Sequence, residues 1–297
     1  MGNSFEITIV SGNEQEAAHF AQQAIAEIRR IEKLLTTFSD TSQTNQVNAM
    51  AGIEPVRVDK EMFDLVKRSL RISALTDGAF DITYGSIDKR FWNFDKEMTE
   101  LPDAETVRSL VRLINYKNVI LDDEDHSIFL KEKGMRIGFG GIGKGYAADM
   151  AKALLQRLGV TDGIVNASGD LTTWGRQANG EKWTIGIAHP DKATLPFSYL
   201  EVSDMSIATS GNYEKFVMIG NKKYSHTINP KTGMPVSGIK SVTIFSPLAE
   251  LADAMATPVT IMGIRAGLDL VNQVQHLEAV IIDDNNRLYS TNNIHLS

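Results

Sequence analysis

The chain has 297 residues, of which 42% are hydrophobic and 23% charged, a composition typical of a folded globular protein. Its 30 Lys and Arg residues face 37 Asp and Glu residues, so the formal net charge of −7 gives no net attraction to nucleic acid or anionic lipid. No cysteine is present, which excludes disulfides, thiolate metal sites and cysteine nucleophiles. No apolar run is long enough to span a membrane.

The N-terminal residues 1–10 alternate between polar and apolar side chains, which predicts a strand. They contain neither the basic nor the apolar segment of a secretory signal peptide, so we expect either a cytosolic protein or one whose leader was removed. Because no repeat or low-complexity linker interrupts the chain, residues 1–297 are expected to form a single domain, with two closely packed lobes as the alternative.

Two long helices are predicted near the N-terminus. The first spans residues 14–35, and the polar residues 36–48 that follow predict a loop with Phe38 inside it. The second begins after Asp59, a good capping residue, and ends at Asp77-Gly78. The expected buried faces are Phe20, Ala24, Ile28, Ile31 and Leu35 in the first helix and Phe63, Val66, Leu70 and Ala74 in the second.

The remaining elements mix helices and strands without strict alternation, which indicates an α+β fold. The acidic residues 122–125 are expected at a solvated hairpin tip, although such a run could also bind a cation. Helices are predicted over 101–110, 146–158, 250–262 and 268–274, and strands over 118–121, 127–130, 135–137, 163–166, 183–187, 199–202, 216–219, 241–245 and 279–282.

Residues 138–145 form a glycine-rich turn that ends in Lys144 and Gly145. Exposed backbone N–H groups at a helix start, together with a lysine charge, suit a phosphate group. The segment matches the dinucleotide fingerprint G-x-G-x-x-G but lies mid-chain without a repeating βαβ frame, and it departs from a P-loop where Gly145 replaces the Mg²⁺-binding Ser or Thr. We interpret it as a phosphate-contacting turn of neither standard type. The alternative is a bend that serves tight packing alone.

Two further segments contain residues suited to chemistry. Asp253 and Thr257 lie four residues apart on one face of a predicted helix, and their hard oxygen atoms suit Mg²⁺. The alternative is an alanine-rich helix with a solvated acidic edge. His226 stands beside an Asn-Pro-x-x-Gly turn, where it could serve as a general base or be an ordinary surface side chain.

Together these segments resemble the ApbE family of FAD:protein FMN transferases, and the resemblance covers essentially the whole chain. The segments that carry it occur in the family's order: Gly78-Ala79-Phe80-Asp81, residues 140–149, residues 208–213, His226 through Gly233, and residues 252–257. The resemblance implies a T-fold-like α+β architecture with mixed sheets and flanking helices. It also implies Mg²⁺-dependent transfer of FMN from FAD to a Thr or Ser hydroxyl of an acceptor protein, with release of AMP.

The resemblance also assigns site residues by position. The residues implied to contact FAD are Met1, Phe38, Ala79, Phe80, Asp81, Lys144, Thr209 and His226. The Gly141 carbonyl, Asp253 and Thr257 are implied to hold Mg²⁺, and His226 is implied to deprotonate the acceptor hydroxyl. Many members are lipoproteins outside the cytoplasmic membrane, which suggests a periplasmic or cell-envelope location, although this chain lacks the lipid-bearing cysteine.

Two positions depart from the family's pattern, and three other functions stay open. Gly138 and Asn229 stand where the family usually has Asp, so one polar contact to FAD and one carboxylate near the histidine are absent. Water in place of the acceptor hydroxyl would make the protein an FAD pyrophosphatase. A non-catalytic FAD-binding protein would hold FAD without turnover, and a nicotinamide dehydrogenase rests on the G-x-G-x-x-G match alone.

Overall fold

The computed structural model describes residues 4–88, 100–189, 192–211, 216–220 and 222–294. Met1, one of the residues expected to contact FAD, lies outside them. Within this described part, none of the helices combines the length and the apolar character that crossing a membrane requires. The chain divides into two units.

The described residues form seven α-helices and fourteen strands, and every strand pair is antiparallel. The helices are α1 (Glu14–Leu35), α2 (Gln43–Ala49), α3 (Lys60–Leu75), α4 (Ala104–Val111), α5 (Gly143–Arg157), α6 (Ala249–Met262) and α7 (Ile264–Val271). The strands are β1 (Phe5–Ile9), β2 (Val56–Arg57), β3 (Val119–Asp122), β4 (Ser127–Leu130), β5 (Gly163–Ala167), β6 (Asp170–Trp174), β7 (Trp183–His189), β8 (Lys192–Val202), β9 (Ser206–Gly211), β10 (Phe216–Ile219), β11 (Lys222–Ser225), β12 (Ile239–Ser246), β13 (Glu278–Asp283) and β14 (Leu288–Ser290). The predicted α+β class is confirmed.

The first unit comprises Met1–Glu32, Ile142–Tyr213 and Ile239–Ser297. Its seven-stranded sheet has the order β1-β5-β6-β9-β12-β13-β14, and β7 pairs with β8 in a separate ribbon. Helix α5 packs against β5 and β6, and α6 packs against β9 and β12. The buried cluster between α1, α5 and the sheet comprises Ala24, Ile28, Ala148, Ala151, Leu155, Val160, Val165, Trp174 and Ala249.

The second unit comprises Lys33–Gly141 and Glu214–Gly238. It contains the three-stranded sheet β2-β4-β3, the hairpin of β10 and β11, and the helices α2, α3 and α4. Three of its buried side chains, Val107, Leu110 and Ile228, pack against each other. The acidic residues 122–125 lie at the exposed turn between β3 and β4, as predicted.

The loop expected between the first two helices contains a helix of its own. Helix α1 has the predicted bounds, but residues 43–49 form α2 within the polar stretch 36–48. The Ser42 side chain caps α2 by accepting from the Asn45 N–H at 3.1 Å, and Val47 is buried. Two apolar residues in seven, Val47 and Ala49, are too few for a helical periodicity, so the cap is the remaining sequence signal.

The predicted buried face of α3 is wrong at its C-terminal end. Phe63 and Val66 are buried, but Ala74 is exposed, and Ser69 and Ile72 are buried instead. Asp59 stands at the N-cap position without a side-chain cap; its carboxylate accepts from the Gln43 amide at 2.7 Å. The helix does end at the expected left-handed pair, since the φ angles of Asp77 and Gly78 are 48° and 76°.

The strand expected over residues 135–137 is absent, because this stretch has no regular structure. A dinucleotide fingerprint requires a strand before its glycines, so the absence of this strand agrees with the interpretation that residues 138–145 are not a Rossmann turn. Strands β6 and β9 were not predicted. Both contain buried Thr or Ser side chains, which obscure the apolar alternation of a strand.

Candidate active site

The glycine-rich turn leads directly into α5, whose first turn contains Lys144 and Gly145. The N-cap residue of α5, Ile142, has no side chain that could accept a hydrogen bond, so the first N–H groups need another acceptor. The Asp253 carboxylate on α6 accepts from the Gly145 N–H at 3.0 Å. At this helix start a protein carboxylate therefore binds an N–H group that the sequence analysis assigned to a phosphate.

Helix α6 also begins without a side-chain cap of its own, and a carboxylate from α5 accepts its first N–H groups. Its N-cap residue, Leu248, provides no side-chain cap, and the N–H groups of Ala249 and Glu250 donate to the Asp149 carboxylate at 3.0 and 2.8 Å. A carboxylate is favoured there by the partial positive charge of the helix N-terminus. Asp149 lies on α5 and Asp253 on α6, so each helix caps the other.

The two helices approach so closely at Gly145 that no side chain fits there. A Cβ atom on Gly145 would lie 2.1 Å from the Ala249 carbonyl oxygen, far inside a van der Waals contact. Glycine at the P-loop Ser or Thr position therefore has a packing reason. The alternative interpretation of the glycine-rich turn applies to Gly145, whereas a Cβ atom on Gly140 would have no neighbour within 4 Å.

Asp170, the first residue of β6, joins two of the predicted site residues. Its carboxylate forms an ion pair with the Lys144 ammonium group and accepts from the Thr209 N–H at 3.3 Å. The Thr209 hydroxyl shares a hydrogen bond of 2.9 Å with the Thr243 hydroxyl on the neighbouring strand β12. The first unit thus gathers Lys144 and Thr209 around a buried acid that the sequence analysis did not single out.

The charges of this cluster depend on one another. Burial, followed by the negative charge of Asp170, raises the pKa of Asp253 to about 7. Burial also raises the pKa of Asp170, against the opposing effect of Lys144. For Lys144 burial works in the opposite direction, but the carboxylates of Asp253 and Asp170 outweigh it and raise the pKa of the ammonium group. Two buried carboxylates therefore share one ammonium group.

This donor set fits the Mg²⁺ ion that the sequence resemblance implies. Asp253 supplies a buried carboxylate, and the half-buried Thr257 supplies a hydroxyl one turn further along α6. Oxygen donors and an excess of negative charge suit Mg²⁺, which keeps several of its ligands as water or substrate phosphate. Among the described residues no group of three or more His, Asp or Glu side chains could hold a metal ion, so the protein alone would supply few ligands.

In the second unit, the segment Ala79-Phe80-Asp81 is buried. The Asp81 carboxylate accepts from the backbone N–H and hydroxyl of Thr83 at 2.8 and 2.6 Å and from the Tyr116 N–H at 2.9 Å. Burial raises the pKa of Asp81 despite these three hydrogen bonds. These contacts give Asp81 a structural role, whereas Phe38 is 91% exposed and free of such packing.

His226 directly follows β11 and is exposed, between the buried residues Ser225 and Thr227. The turn after it is held by Asn229, whose side-chain oxygen accepts the Lys231 N–H at 2.9 Å. The Gly233 N–H donates to the Asn229 carbonyl at 2.8 Å. Asn229 therefore keeps the turn without the family's carboxylate, as the sequence predicted.

The predicted site residues fall into two groups. Lys144, Thr209, Asp253 and Thr257 belong to the first unit, where the structure brings Lys144, Thr209 and Asp253 around Asp170. The residues of the second unit are Phe38, Ala79, Phe80, Asp81, Gly141 and His226, and their part in one common site stays a prediction.

Sequence reasoning missed Asp149 and Asp170 as site residues. Asp149 stood inside a family segment without a role. Asp170 follows Ser168 and Gly169, whose φ angles of 55° and 98° form the tight turn between β5 and β6. A Ser-Gly pair is a hairpin signal, and it could have located both β6 and the acid at its start.

Comparison with known proteins defines the class of fold first. The ApbE protein of Thermotoga maritima superposes with a TM-score of 0.85 at 28% identity, covering 98% of this chain and 94% of that one. The apo form of the flavinyl transferase ApbE from Pseudomonas stutzeri gives a TM-score of 0.84 at 25% identity, covering 98% and 92%. The α+β architecture described above is thus that of the ApbE flavin transferases.

The sequence comparisons then show the family of the chain. The model of the ApbE family matches residues 1–281, and the chain belongs to this family. A relative from Klebsiella pneumoniae, named FAD:protein FMN transferase, is 30% identical over 96% of this chain and 87% of its own length. A relative of the same name from Escherichia coli K12 is 27% identical over 92% of this chain and 79% of its own length.

Proposed function

We propose that this protein is an enzyme that transfers FMN from FAD to a Thr or Ser hydroxyl of an acceptor protein, releasing AMP. The name shared by its relatives, FAD:protein FMN transferase, supports the reaction class. The single observation that carries the proposal is the cluster of Lys144, Asp170, Thr209 and Asp253, which draws three separate family segments into one charged site. A site of this charge suits a substrate that brings both phosphate and a metal ion.

The reaction needs charge neutralisation and positioning more than covalent chemistry. Lys144, whose side chain is 23% exposed, would bind the diphosphate of FAD. Asp253 and Thr257 would hold Mg²⁺, which when bound offsets the phosphate charge as a Lewis acid. The Gly141 carbonyl would be a further ligand.

The transfer step would be a nucleophilic substitution at phosphorus. His226 would accept the proton of the acceptor hydroxyl, because a ring nitrogen of a neutral imidazole is a proton acceptor. The oxygen of that hydroxyl would form a bond to the phosphorus of the FMN moiety. The phosphorus–oxygen bond of the diphosphate would break, and its electron pair would leave with AMP.

The test is incubation of the protein with FAD, Mg²⁺ and a purified protein domain that carries FMN on threonine in its native state, supplied in its unflavinylated form. We expect flavin fluorescence on the acceptor in a denaturing gel and an equal amount of AMP. Asp253→Asn should abolish both, since the amide can still accept the Gly145 N–H but binds Mg²⁺ poorly.

Other results would select a different function. FMN and AMP released steadily without an acceptor, and no labelled acceptor, would identify an FAD pyrophosphatase. Intact FAD bound without turnover would identify a flavin-binding protein. Full activity of the Asp253→Asn variant would contradict the metal assignment.

A further inference from the structure

Asp149 lies in the helix whose first turn contains Lys144, but its side-chain hydrogen bonds go to the backbone of α6. Only 8% of the residue is exposed, and the two carboxylate oxygens accept from two consecutive N–H groups of α6, those of Ala249 and Glu250. Asp149 thus fixes the start of α6 from outside that helix.

The face of α6 that Asp149 anchors is the one that carries the expected metal ligands. Ala249, Asp253 and Thr257 follow one another at steps of four residues, which places them along one side of the helix. The Ala249 N–H is held by Asp149 at one end of this row. A small rotation of α6 at its start would therefore move Asp253 and Thr257 together.

Helix α6 packs against α5, β9 and β12, and at its start hydrogen bonds add a directional restraint to this packing. At Gly145 the two backbones are in direct contact, which limits their distance, whereas the hydrogen bonds that the Asp149 and Asp253 carboxylates accept orient the two helix starts. Without Asp149, the Asp253 carboxylate would have to orient the helix and bind the metal ion at once. With Asp149 present, the orientation of the helix does not depend on Asp253 alone.

We propose that Asp149 is a positioning residue that sets the affinity for Mg²⁺ by fixing Asp253 and Thr257 through the start of α6. The inference rests on the metal site of the proposed function. It adds a residue that touches neither the metal ion nor FAD.

The test compares Asp149→Asn with Asp103→Asn. Asp103 is a matched control, since its carboxylate also accepts two N–H groups at a helix start, those of Glu105 and Thr106 at 3.0 Å each, but on α4 of the second unit. Mn²⁺ is titrated as a probe into each FAD-loaded protein, and the free ion is followed by electron paramagnetic resonance. Thermal stability and metal-free FAD affinity are measured in parallel.

We expect Asp149→Asn to weaken Mn²⁺ binding at least about tenfold while FAD affinity changes less than about threefold. The Mg²⁺ concentration for half-maximal transfer should rise by the same factor, with kcat at saturating Mg²⁺ near the wild-type value. Asp103→Asn should leave Mn²⁺ binding unchanged. An Asp149→Asn protein that melts earlier but binds Mn²⁺ normally would overturn the inference, because Asp149 would then be only structural.

If Asp149→Asn does not fold, Asp149→Glu keeps the charge and displaces the two acceptor atoms by one methylene group. Weaker Mn²⁺ binding by this folded variant would support the inference, and wild-type binding would overturn it. A wild-type protein that binds FAD but no Mn²⁺ would give a separate result, since it would contradict the metal site itself.

Discussion

Asp149 and Asp253 lie on different helices, and each accepts backbone N–H groups from the start of the helix that carries the other. The exchange satisfies two helix starts whose own N-cap residues, Ile142 and Leu248, provide no side-chain cap. The two family segments that are far apart in sequence therefore form one structural element. Substitutions in either segment should affect both.

The first prediction concerns the stability of the metal-free protein against pH. Burial raises the pKa of Asp149 from 3.8 to about 6, so the folded protein retains this proton at pH values where the unfolded chain has lost it. The free energy of unfolding should therefore fall as pH rises from about 4 to about 6, by up to about 3 kcal/mol from this group. Urea denaturation at a series of pH values measures the slope.

The matching variant is Asp149→Asn, which has no group to titrate at this position. Its free energy of unfolding should decline less over the same pH range, because one of the three buried carboxylates with a raised pKa no longer titrates. Parallel curves for the variant and the wild-type protein would show that Asp149 is not the source of the slope.

The second prediction concerns two glycines of the same turn. Gly145→Ala should destabilise the protein by about 3 kcal/mol, because its Cβ atom would lie 2.1 Å from the Ala249 carbonyl oxygen and force α5 and α6 apart. Helix propensity alone would favour alanine there by about 1 kcal/mol.

Gly140→Ala is the control, because the added Cβ atom would have no neighbour within 4 Å. It should change the free energy of unfolding by less than about 0.5 kcal/mol. Equal stability of the two variants in urea denaturation would contradict the tight contact between the helices.

Periodicity predicted the long apolar helices and failed where polar residues are buried. Helix α1 begins and ends where its apolar spacing predicts. Strand β6 was missed because Thr172 and Thr173 are fully buried and look like solvent-facing residues in the sequence. The Thr172 hydroxyl accepts from the Ser206 hydroxyl on β9 at 2.9 Å. A buried hydroxyl of each missed strand therefore has a hydrogen-bond partner on the other.

The site also contains residues that the sequence indicates and residues that only the fold brings together. Motif order pointed to Lys144, Thr209 and Asp253, because these residues lie in recognisable segments. The Ser168-Gly169 turn could have located Asp170 at the start of a strand, but not its role, because its contact with Thr209 depends on a pairing between β6 and β9 that no local pattern encodes. The role of Asp149 depends likewise on a helix contact about a hundred residues away along the chain.

The third prediction tests the Lys144–Asp170 pair by a double-mutant cycle. Lys144→Met should destabilise the metal-free protein at pH 8 more than Asp170→Asn, because it leaves two buried carboxylates without a cation, whereas Lys144 retains Asp253 when Asp170 is neutral. The double variant should be more stable than the sum of the single effects predicts, by about 1–2 kcal/mol. Additive effects in urea denaturation would contradict a direct pair.

The fourth prediction concerns His226 in the transfer reaction. His226→Gln should slow transfer by about 100-fold or more at saturating FAD, because the acceptor hydroxyl loses its proton acceptor. FAD affinity should change less than about threefold, since the side chain is exposed and the Asn229 side chain accepts a hydrogen bond within the turn beside it. Asn229→Asp is the control: an aspartate can accept the same Lys231 N–H, so transfer should stay near the wild-type rate.

In-gel flavin fluorescence over time gives the rate and fluorescence quenching gives the FAD affinity. An equal loss of both in His226→Gln would assign the histidine to ligand binding, because a base acts on the reacting proton and not on the affinity for FAD.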